Sequence, residues 1–345
     1  RLELKEGNKS VISRALYKDM DETLKAGMKV ILFLNRRGYS TFISCRECGH
    51  VMQCRECGIS LTYHKEKDRI KCHYCGYEEA VPSVCPSCGS RYIRYFGTGT
   101  EKVEEEVKSL FPGHKTARLD TDTARKKGSM EKILDDFSKG DTDILTGTQI
   151  VAKGLDYPNV ALVGIISADV SLNIPDFRSA EKAFQLMIQA SGRAGRGTEA
   201  GKVIIQTYTP ENYAVCAAAA QDYRKFYDTE IKLREYMGYP PFCDLILLVF
   251  DSKIRGEAEK GALYWKAGFI ALTGKCHEEN ILPIQQIPSN ISKEGWKCNM
   301  LIKCPLGNRK IYMGALEEIK NRLKNDKNKK YNVAVDVNPY SLWRS

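Results

Sequence analysis

Eight of the thirteen cysteines fall between Cys45 and Cys88, and they repeat one unit four times. The units are Cys45-Arg46-Glu47-Cys48-Gly49, Cys54-Arg55-Glu56-Cys57-Gly58, Cys72-His73-Tyr74-Cys75-Gly76 and Cys85-Pro86-Ser87-Cys88-Gly89. Two intervening residues let both sulfurs of a pair reach one ion at about 2.3 Å. The glycine after each pair permits the positive φ that such a knuckle needs. Two pairs complete one tetrahedral site, so the block is expected to hold two Zn2+ ions. A redox Cys-x-x-C would stand alone beside a thioredoxin-like strand and helix. An odd cysteine count without a secretory signal argues against a disulfide framework. With sulfur in all eight positions no place is left for a reacting water, so the metals are structural.

The pairing has two solutions. Segments 61–64 and 69–71 read as strands around Lys65-Glu66-Lys67-Asp68. That hairpin would join Cys54, Cys57, Cys72 and Cys75 in one site and leave Cys45, Cys48, Cys85 and Cys88 for the other. The nested arrangement is preferred because it brings the entry and exit of the chain together, as an insertion requires; sequential pairing is the alternative. His50, His64 and His73 read as exposed polar residues, not ligands. Arg46, Arg55, Lys65, Lys67, Arg69 and Lys71 either face DNA or are simply solvated. Cys216, Cys243, Cys276, Cys298 and Cys304 follow no pattern and read as small core or surface residues.

Around the cysteine block, strands alternate with helices. Apolar spacing predicts helices over 11–24, 100–110, 129–137 and 179–190, and strands over 29–34, 92–96, 117–119, 143–145, 160–166 and 202–208. This alternation predicts an α/β fold, a parallel sheet covered on both faces. A long helical stretch over 211–237 ends at Gly238-Tyr239-Pro240-Pro241, a natural domain boundary. Beyond it, strands over 245–250 and 299–303 and helices over 257–272 and 314–323 make a small α+β domain. Trp265, Trp296 and Trp343 read as core residues, with base-stacking platforms as the alternative. Segment 289–297, with two lysines and a tryptophan, is the local candidate for DNA contact.

Length and charge set the frame. The 345 residues suffice for two or three domains, and 43% hydrophobic with 28% charged residues is ordinary globular composition. No run approaches the roughly 20 apolar residues of a membrane span. The formal charge is +10; eight thiolates and two zinc ions lower it by four, to +6, still basic enough to meet phosphate backbones. The chain opens Arg1-Leu2-Glu3-Leu4 without a signal peptide, which reads as an excised part of a larger cytoplasmic protein.

Two segments carry chemistry: Thr146-Gly147-Thr148-Gln149-Ile150-Val151-Ala152-Lys153-Gly154-Leu155-Asp156 after a strand, and Gln189-Ala190-Ser191-Gly192-Arg193-Ala194-Gly195-Arg196-Gly197 at a helix end. Small and hydroxyl residues after a strand let the backbone approach a phosphate. Two arginines three apart on a glycine-rich loop can reach one polyphosphate together, and a guanidinium there stabilises the transferred γ-phosphoryl. Alone, Gly-Arg-x-Gly-Arg is also found in plain surface and RNA-binding loops, and a zinc-ribbon RNA-binding protein with a decayed motor fold is a further reading. In order and spacing, however, the segments resemble motifs V and VI of superfamily 2 helicases, with Asn35-Arg36-Arg37-Gly38 where motif IV stands.

The combination of these motifs with the cysteine block resembles the primosomal restart helicases, the PriA family. Asn35-Arg36-Arg37-Gly38-Tyr39-Ser40, Gly97-Thr98-Gly99-Thr100-Glu101-Lys102-Val103-Glu104-Glu105-Glu106, Asp176-Phe177-Arg178-Ser179-Ala180-Glu181 and Arg234-Glu235-Tyr236-Met237-Gly238-Tyr239-Pro240-Pro241-Phe242 carry the resemblance too. It implies a RecA-like helicase lobe 2 over 1–43 and 91–240, a zinc-binding insertion over 44–90, and a C-terminal DNA-binding domain over 241–345. It implies an ATP-dependent 3′→5′ DNA helicase that recognises stalled or branched forks and promotes primosome assembly and replication restart. Implied partners are branched or forked DNA, single-stranded DNA, other primosome proteins and single-stranded DNA-binding protein, with no membrane; the implied location is cytoplasmic and nucleoid-associated.

Carried over by motif, Arg193 and Arg196 contact ATP phosphates, with Arg196 the finger. Gln189, Gly154 and Asp156 support the nucleotide site. Thr146, Thr148 and Lys153 couple it to the DNA backbone, which Arg36 and Arg37 also meet. The chain departs from a whole motor in one respect. It contains no Gly-x-x-x-x-Gly-Lys-Ser/Thr loop, and Asp21-Glu22-Thr23 lies in a predicted helix, where no Walker B stands. The lobe that cradles ATP and Mg2+ is therefore expected elsewhere, and this chain alone is expected to be silent, acting as a fork-DNA and primosome-protein binding module.

Overall fold

The computed structural model describes residues 3, 6–8, 10–34, 42–64, 68–95, 100–120, 123, 128–148, 159–194, 201–287, 295–324, 326, 328–340 and 342. The chain divides into two compact units. One comprises Arg1–Met52, Thr62–Asp68 and Val81–Thr229; the other comprises Gln53–Leu61, Arg69–Ala80 and Glu230–Ser345.

The first unit is built on a five-stranded sheet of β1 (Lys29–Leu34), β7 (Thr116–Leu119), β8 (Ile144–Gly147), β9 (Val160–Ile166) and β10 (Lys202–Ile205), in the order β10-β9-β1-β8-β7. Every pair is parallel. Strand alternation sends Val30, Leu32 and Leu34 into one core with Leu16, Met20, Val103 and Val107. It sends Ile31 and Phe33 into the opposite core with Phe137, Phe184 and Met187. Helices α1 (Arg14–Lys25) and α2 (Thr100–Leu110) therefore cover one face; α3 (Ser129–Lys139) and α5 (Ser179–Ser191) cover the other, α4 (Ala168–Leu172) lying between β9 and α5. A central strand buried on both sides must be apolar throughout, and all six residues of β1 are buried. Ser13 starts α1 by accepting the Leu16 amide at 3.1 Å.

The expected single helix over 211–237 is instead two, α6 (Tyr213–Ala219) and α7 (Tyr223–Met237). Gln221 takes a positive φ of 53° and Asp222 accepts the Lys225 amide at 2.9 Å, so the chain stops, turns and caps a new helix. The last strand of this sheet in chain order ends at Ile205, three residues earlier than expected. The Gln206 side chain then ties back, accepting the Ser13 amide at 2.8 Å and donating to the Val11 carbonyl at 2.9 Å.

The second unit centres on an antiparallel sheet of β11 (Cys243–Ser252), β12 (Gln285–Ile287), β13 (Trp296–Pro305) and β14 (Asn332–Val337), in the order β12-β13-β11-β14. Helices α8 (Glu257–Thr273) and α9 (Arg309–Arg322) pack on one face over Ile246, Leu248, Phe250, Met300 and Ile302. Trp265 is a core residue at 1% exposure, but Trp296 is not, at 37%; Trp343 lies outside the described residues.

Short strands frame the cysteine block: β2 (Ile43–Cys45), β3 (Thr62–His64), β4 (Arg69–Lys71), β5 (Glu78–Ala80) and β6 (Ile93–Tyr95). β2 pairs with β6, and β4 with β5, antiparallel in both cases. His50, His64 and His73 are half-buried, where exposed positions were expected, and none of them joins a four-cysteine set.

Candidate functional site

All four knuckles close identically. The glycine amide donates to the first cysteine's carbonyl: Gly49 to Cys45 at 2.9 Å, Gly58 to Cys54 at 2.8 Å, Gly76 to Cys72 at 3.0 Å and Gly89 to Cys85 at 2.8 Å. The first cysteine's amide donates to the carbonyl of the residue after the glycine, from Cys45 to His50 at 2.8 Å through Cys85 to Ser90 at 2.8 Å. The glycines have φ between 64° and 80°, a region that costs a side chain about 1–2 kcal/mol.

The knuckles meet in the nested arrangement. Cys45, Cys48, Cys85 and Cys88 converge in the first unit, and Cys54, Cys57, Cys72 and Cys75 in the second, the ligand atoms of each set lying within 4.8 Å of one another. Sulfurs at the corners of a tetrahedron about 2.3 Å from zinc stand about 3.8 Å apart. Observed separations are 3.7 Å for Cys45–Cys88, 3.6 Å for Cys48–Cys85 and 3.4 Å for Cys54–Cys75. Both donor sets therefore fit a tetrahedral, sulfur-loving ion, which when bound would crosslink its two knuckles. Hydrogen bonds from Cys57 and Cys72 hold the Cys54 thiol down at about 2, while the same sulfur contacts push Cys57 up. A divalent cation at that point would take all four as thiolates.

The first set is held by Tyr208. Its ring lies 4.9 Å beneath the Arg46 guanidinium and packs with Phe42, Val51 and Val170. Its amide donates to both oxygens of Asp169 at 3.1 and 3.0 Å, and Asp169 also accepts the hydroxyls of Thr207 at 3.0 Å and Thr209 at 3.3 Å. Burial pushes the Asp169 carboxyl up despite these donors. The sequence did not single out Asp169, because a lone aspartate carries no signal until its partners, almost forty residues away, are seen beside it.

Of the residues singled out for nucleotide or DNA contact, Thr146, Thr148, Gln189 and Arg193 are described. Register pairs Phe33 with Gly147 and Leu34 with Ile166, so the carboxyl ends of β1, β8 and β9 lie side by side, where such sheets bind ligands. Thr146 is fully buried in β8 and donates its hydroxyl to the Ala117 carbonyl at 3.2 Å. Thr148 is buried just past the strand, its amide donating to Leu119 at 3.2 Å. Gln189 is exposed on α5, and Arg193 is half-buried in the turn after it, its amide donating to Ala190 at 3.1 Å. Arg36, Arg37, Lys153, Gly154, Asp156 and Arg196 lie outside the described residues. At the other end of α5, buried Asp176 accepts Arg178 Nε at 3.0 Å and Lys182 Nζ at 2.9 Å. Burial alone would raise the Asp176 carboxyl, but the hydrogen bonds and charge of Arg178, with Lys182, hold it below the ordinary carboxylate value.

A doubly covered parallel sheet and a four-knuckle cysteine ribbon in one chain define the carboxyl-terminal lobe of a RecA-like helicase with a metal-binding insertion. Residues 89–198 match the helicase conserved C-terminal domain, and residues 54–79 match the PriA DNA helicase Cys-rich region (CRR) domain. The chain is 45% identical to the replication restart protein PriA of Bacillus subtilis over 346 aligned residues, covering 99% of this chain and 42% of the relative. The PriA of Synechocystis is 48% identical over 75% of this chain and 32% of the relative, and that of Haemophilus influenzae 34% identical over 96% and 45%. The chain belongs to the PriA family of replication restart proteins. It spans less than half the length of these relatives. Among the described residues no helix is long and apolar enough to cross a membrane.

Proposed function

We propose that the full-length protein carrying this chain is an ATP-dependent 3′→5′ DNA helicase that recognises stalled or branched forks and promotes primosome assembly and replication restart in the cytoplasm, close to the nucleoid. The observation that supports this most is the joining, in one chain, of a parallel helicase-lobe sheet and two four-cysteine centres. In this reading the motor lobe is 1–43 and 91–240, the zinc insertion 44–90 and the DNA-binding domain 241–345. Arg193 and Arg196 meet the ATP phosphates, Arg196 as the finger, beside Gln189, Gly154 and Asp156. Arg36, Arg37, Lys153 and Thr148 approach the DNA backbone, while Thr146, bonded inside the sheet, supports the loop that follows. Mg2+ is held by the other lobe, as no Walker motif stands in this chain. Other primosome proteins and single-stranded DNA-binding protein are its protein partners.

Without that lobe, this chain is a non-catalytic module for forked DNA and primosome proteins. Two experiments test the reading. Replacing Arg196→Ala in the full-length protein is expected to abolish ATP hydrolysis and leave fork binding largely intact; loss of binding with retained hydrolysis overturns the finger role. The chain alone, titrated against a labelled fork and a matched duplex at one salt concentration, is expected to prefer the fork, since phosphate contacts alone do not distinguish them. Equal binding, or a preference for structured RNA, overturns the module reading.

A further inference from the structure

The sheet of the second unit has two faces, and strand alternation decides what each sees. Cys298, Met300, Ile302 and Cys304 point to the helices. Leu301 and Lys303 therefore point the other way, as does Leu247 on the neighbouring strand. On that face the third knuckle takes the place of helices: His73 and Tyr74 line a small cavity with Leu247 and Leu301, and the Tyr74 ring meets Tyr239 edge-on at 6.2 Å. Tyr239 is 3% exposed and donates its hydroxyl to the Cys57 carbonyl at 3.1 Å.

Lys303 lies under this arrangement. Its Nζ donates to the Met237 carbonyl at 2.8 Å and stands 4.1 Å from the centre of the Tyr239 ring. Among the described residues it has no carboxylate partner. Asp244, one register position along β11, is engaged by Asn338 at 2.6 Å and Arg309 at 3.7 Å. Cys243 donates its thiol to the Gly238 carbonyl at 3.2 Å, and burial pushes it up to about 11, so it is neutral. Burial also pushes the Lys303 ammonium down, with the sulfur of Cys57 opposing that shift. A half-buried cation without a counter-ion is costly. Four thiolates around one divalent zinc carry a net charge of −2, and Tyr239, whose hydroxyl bonds the Cys57 carbonyl of that set, carries Lys303 against its ring.

We propose that Lys303 is the charge-balancing partner of the second four-cysteine centre, so that this centre and the C-terminal sheet stabilise one another through a cation delivered from β13. The proposal rests on the zinc reading of that centre. An ammonium held only by a carbonyl and an aromatic face is the competing account, and it predicts no effect on metal.

The test uses the full-length protein with both zinc ions, a chromogenic chelator to follow zinc release, and Cys45→Ser/Cys48→Ser and Cys54→Ser/Cys57→Ser variants to assign the two release phases. Lys303→Met, which keeps the side-chain length and removes the charge, is expected to speed release from the second centre about 10–100-fold, the usual cost of an outer-shell partner. Release from the first centre stays unchanged, and Lys303→Arg retains the slow phase. Unchanged release from the second centre in Lys303→Met, or equal acceleration from both centres, overturns the proposal. Should Lys303→Met fail to fold, Lys303→Gln, which keeps a donor for Met237 without the charge, carries the same two outcomes. Wild-type protein holding fewer than two zinc ions overturns the zinc reading itself, and with it the premise for Lys303.

Discussion

The two four-cysteine sets are built from the same knuckle, closed by the same hydrogen bonds, yet their surroundings differ in kind. The first stands at the root of the ribbon, where Cys45 ends β2, and is braced by a polar network: Arg46 over Tyr208, and Tyr208 on the carboxylate of Asp169. The second is packed as a layer of the C-terminal sheet, through Tyr74, Tyr239 and Lys303. Cys88 of the first set is exposed, while Cys54, Cys57 and Cys72 are all buried. Identical local chemistry thus supports two different tasks, since a knuckle specifies how sulfur is presented and its neighbours specify what the metal stabilises.

The largest effect should come from removing each centre in turn. Structural zinc contributes on the order of 10 kcal/mol in small metal domains. Cys54→Ser/Cys57→Ser is expected to halve the zinc content and strip hydrogen-exchange protection from 243–252, 296–305 and 332–337. Cys45→Ser/Cys48→Ser is expected to halve it too, with protection lost in 42–51 and 206–209 instead. The same lost segments in both variants would erase the distinction between the centres.

Next in size is a pair of glycine substitutions. At Gly49 an added Cβ would strike the Tyr208 carbonyl, a backbone atom whose residue is tied to Asp169; at Gly76 it would meet only the side-chain end of Gln285, at 2.6 Å. Both alanine variants carry the left-handed penalty of about 1–2 kcal/mol. Gly49→Ala should cost about 1–3 kcal/mol more through overpacking, read as the larger fall in denaturation midpoint. An equal loss would show that the Tyr208 segment yields as freely as a side chain.

The Asp176 cluster should contribute to an acid limit. The Asp176 carboxyl is lowered in the folded protein, so it contributes stability above its unfolded value near 3.9 that is lost as pH falls through the folded value. Asp176→Asn should flatten the drop in Tm below about pH 4 while leaving zinc release unchanged. An unaltered acid limb would mean that other carboxylates set it. Smallest is Tyr239→Phe, which removes one hydrogen bond to Cys57 and should cost about 1 kcal/mol, with faster loss of the second zinc only.

Much of this was legible in the chain itself. Four Cys-x-x-Cys-Gly units announce two metal sites because metal ligation is local in sequence: each knuckle is complete within five residues. The buried run of β1 announces a parallel sheet because a strand covered on both faces has no polar positions to spare. The break at Gln221 was hidden by helix formers on either side of it. The edge strand β14 was missed although Val333, Val335 and Val337 alternate there, because half-exposed edges dilute the pattern.

What each centre leans on belonged to tertiary structure. Nothing local separates Cys54 from Cys45 as a ligand; the strands read over 61–64 and 69–71 favour the nested grouping with sequential pairing as the alternative, and the converging sulfurs choose the nested one. Asp169, Tyr239 and Lys303 read in sequence as an ordinary acid, aromatic and base. Their roles come from partners between 38 and 182 residues away. Period and spacing encode what a segment does with its own backbone, whereas a buried charge or hydroxyl acquires its meaning from the distant group that satisfies it.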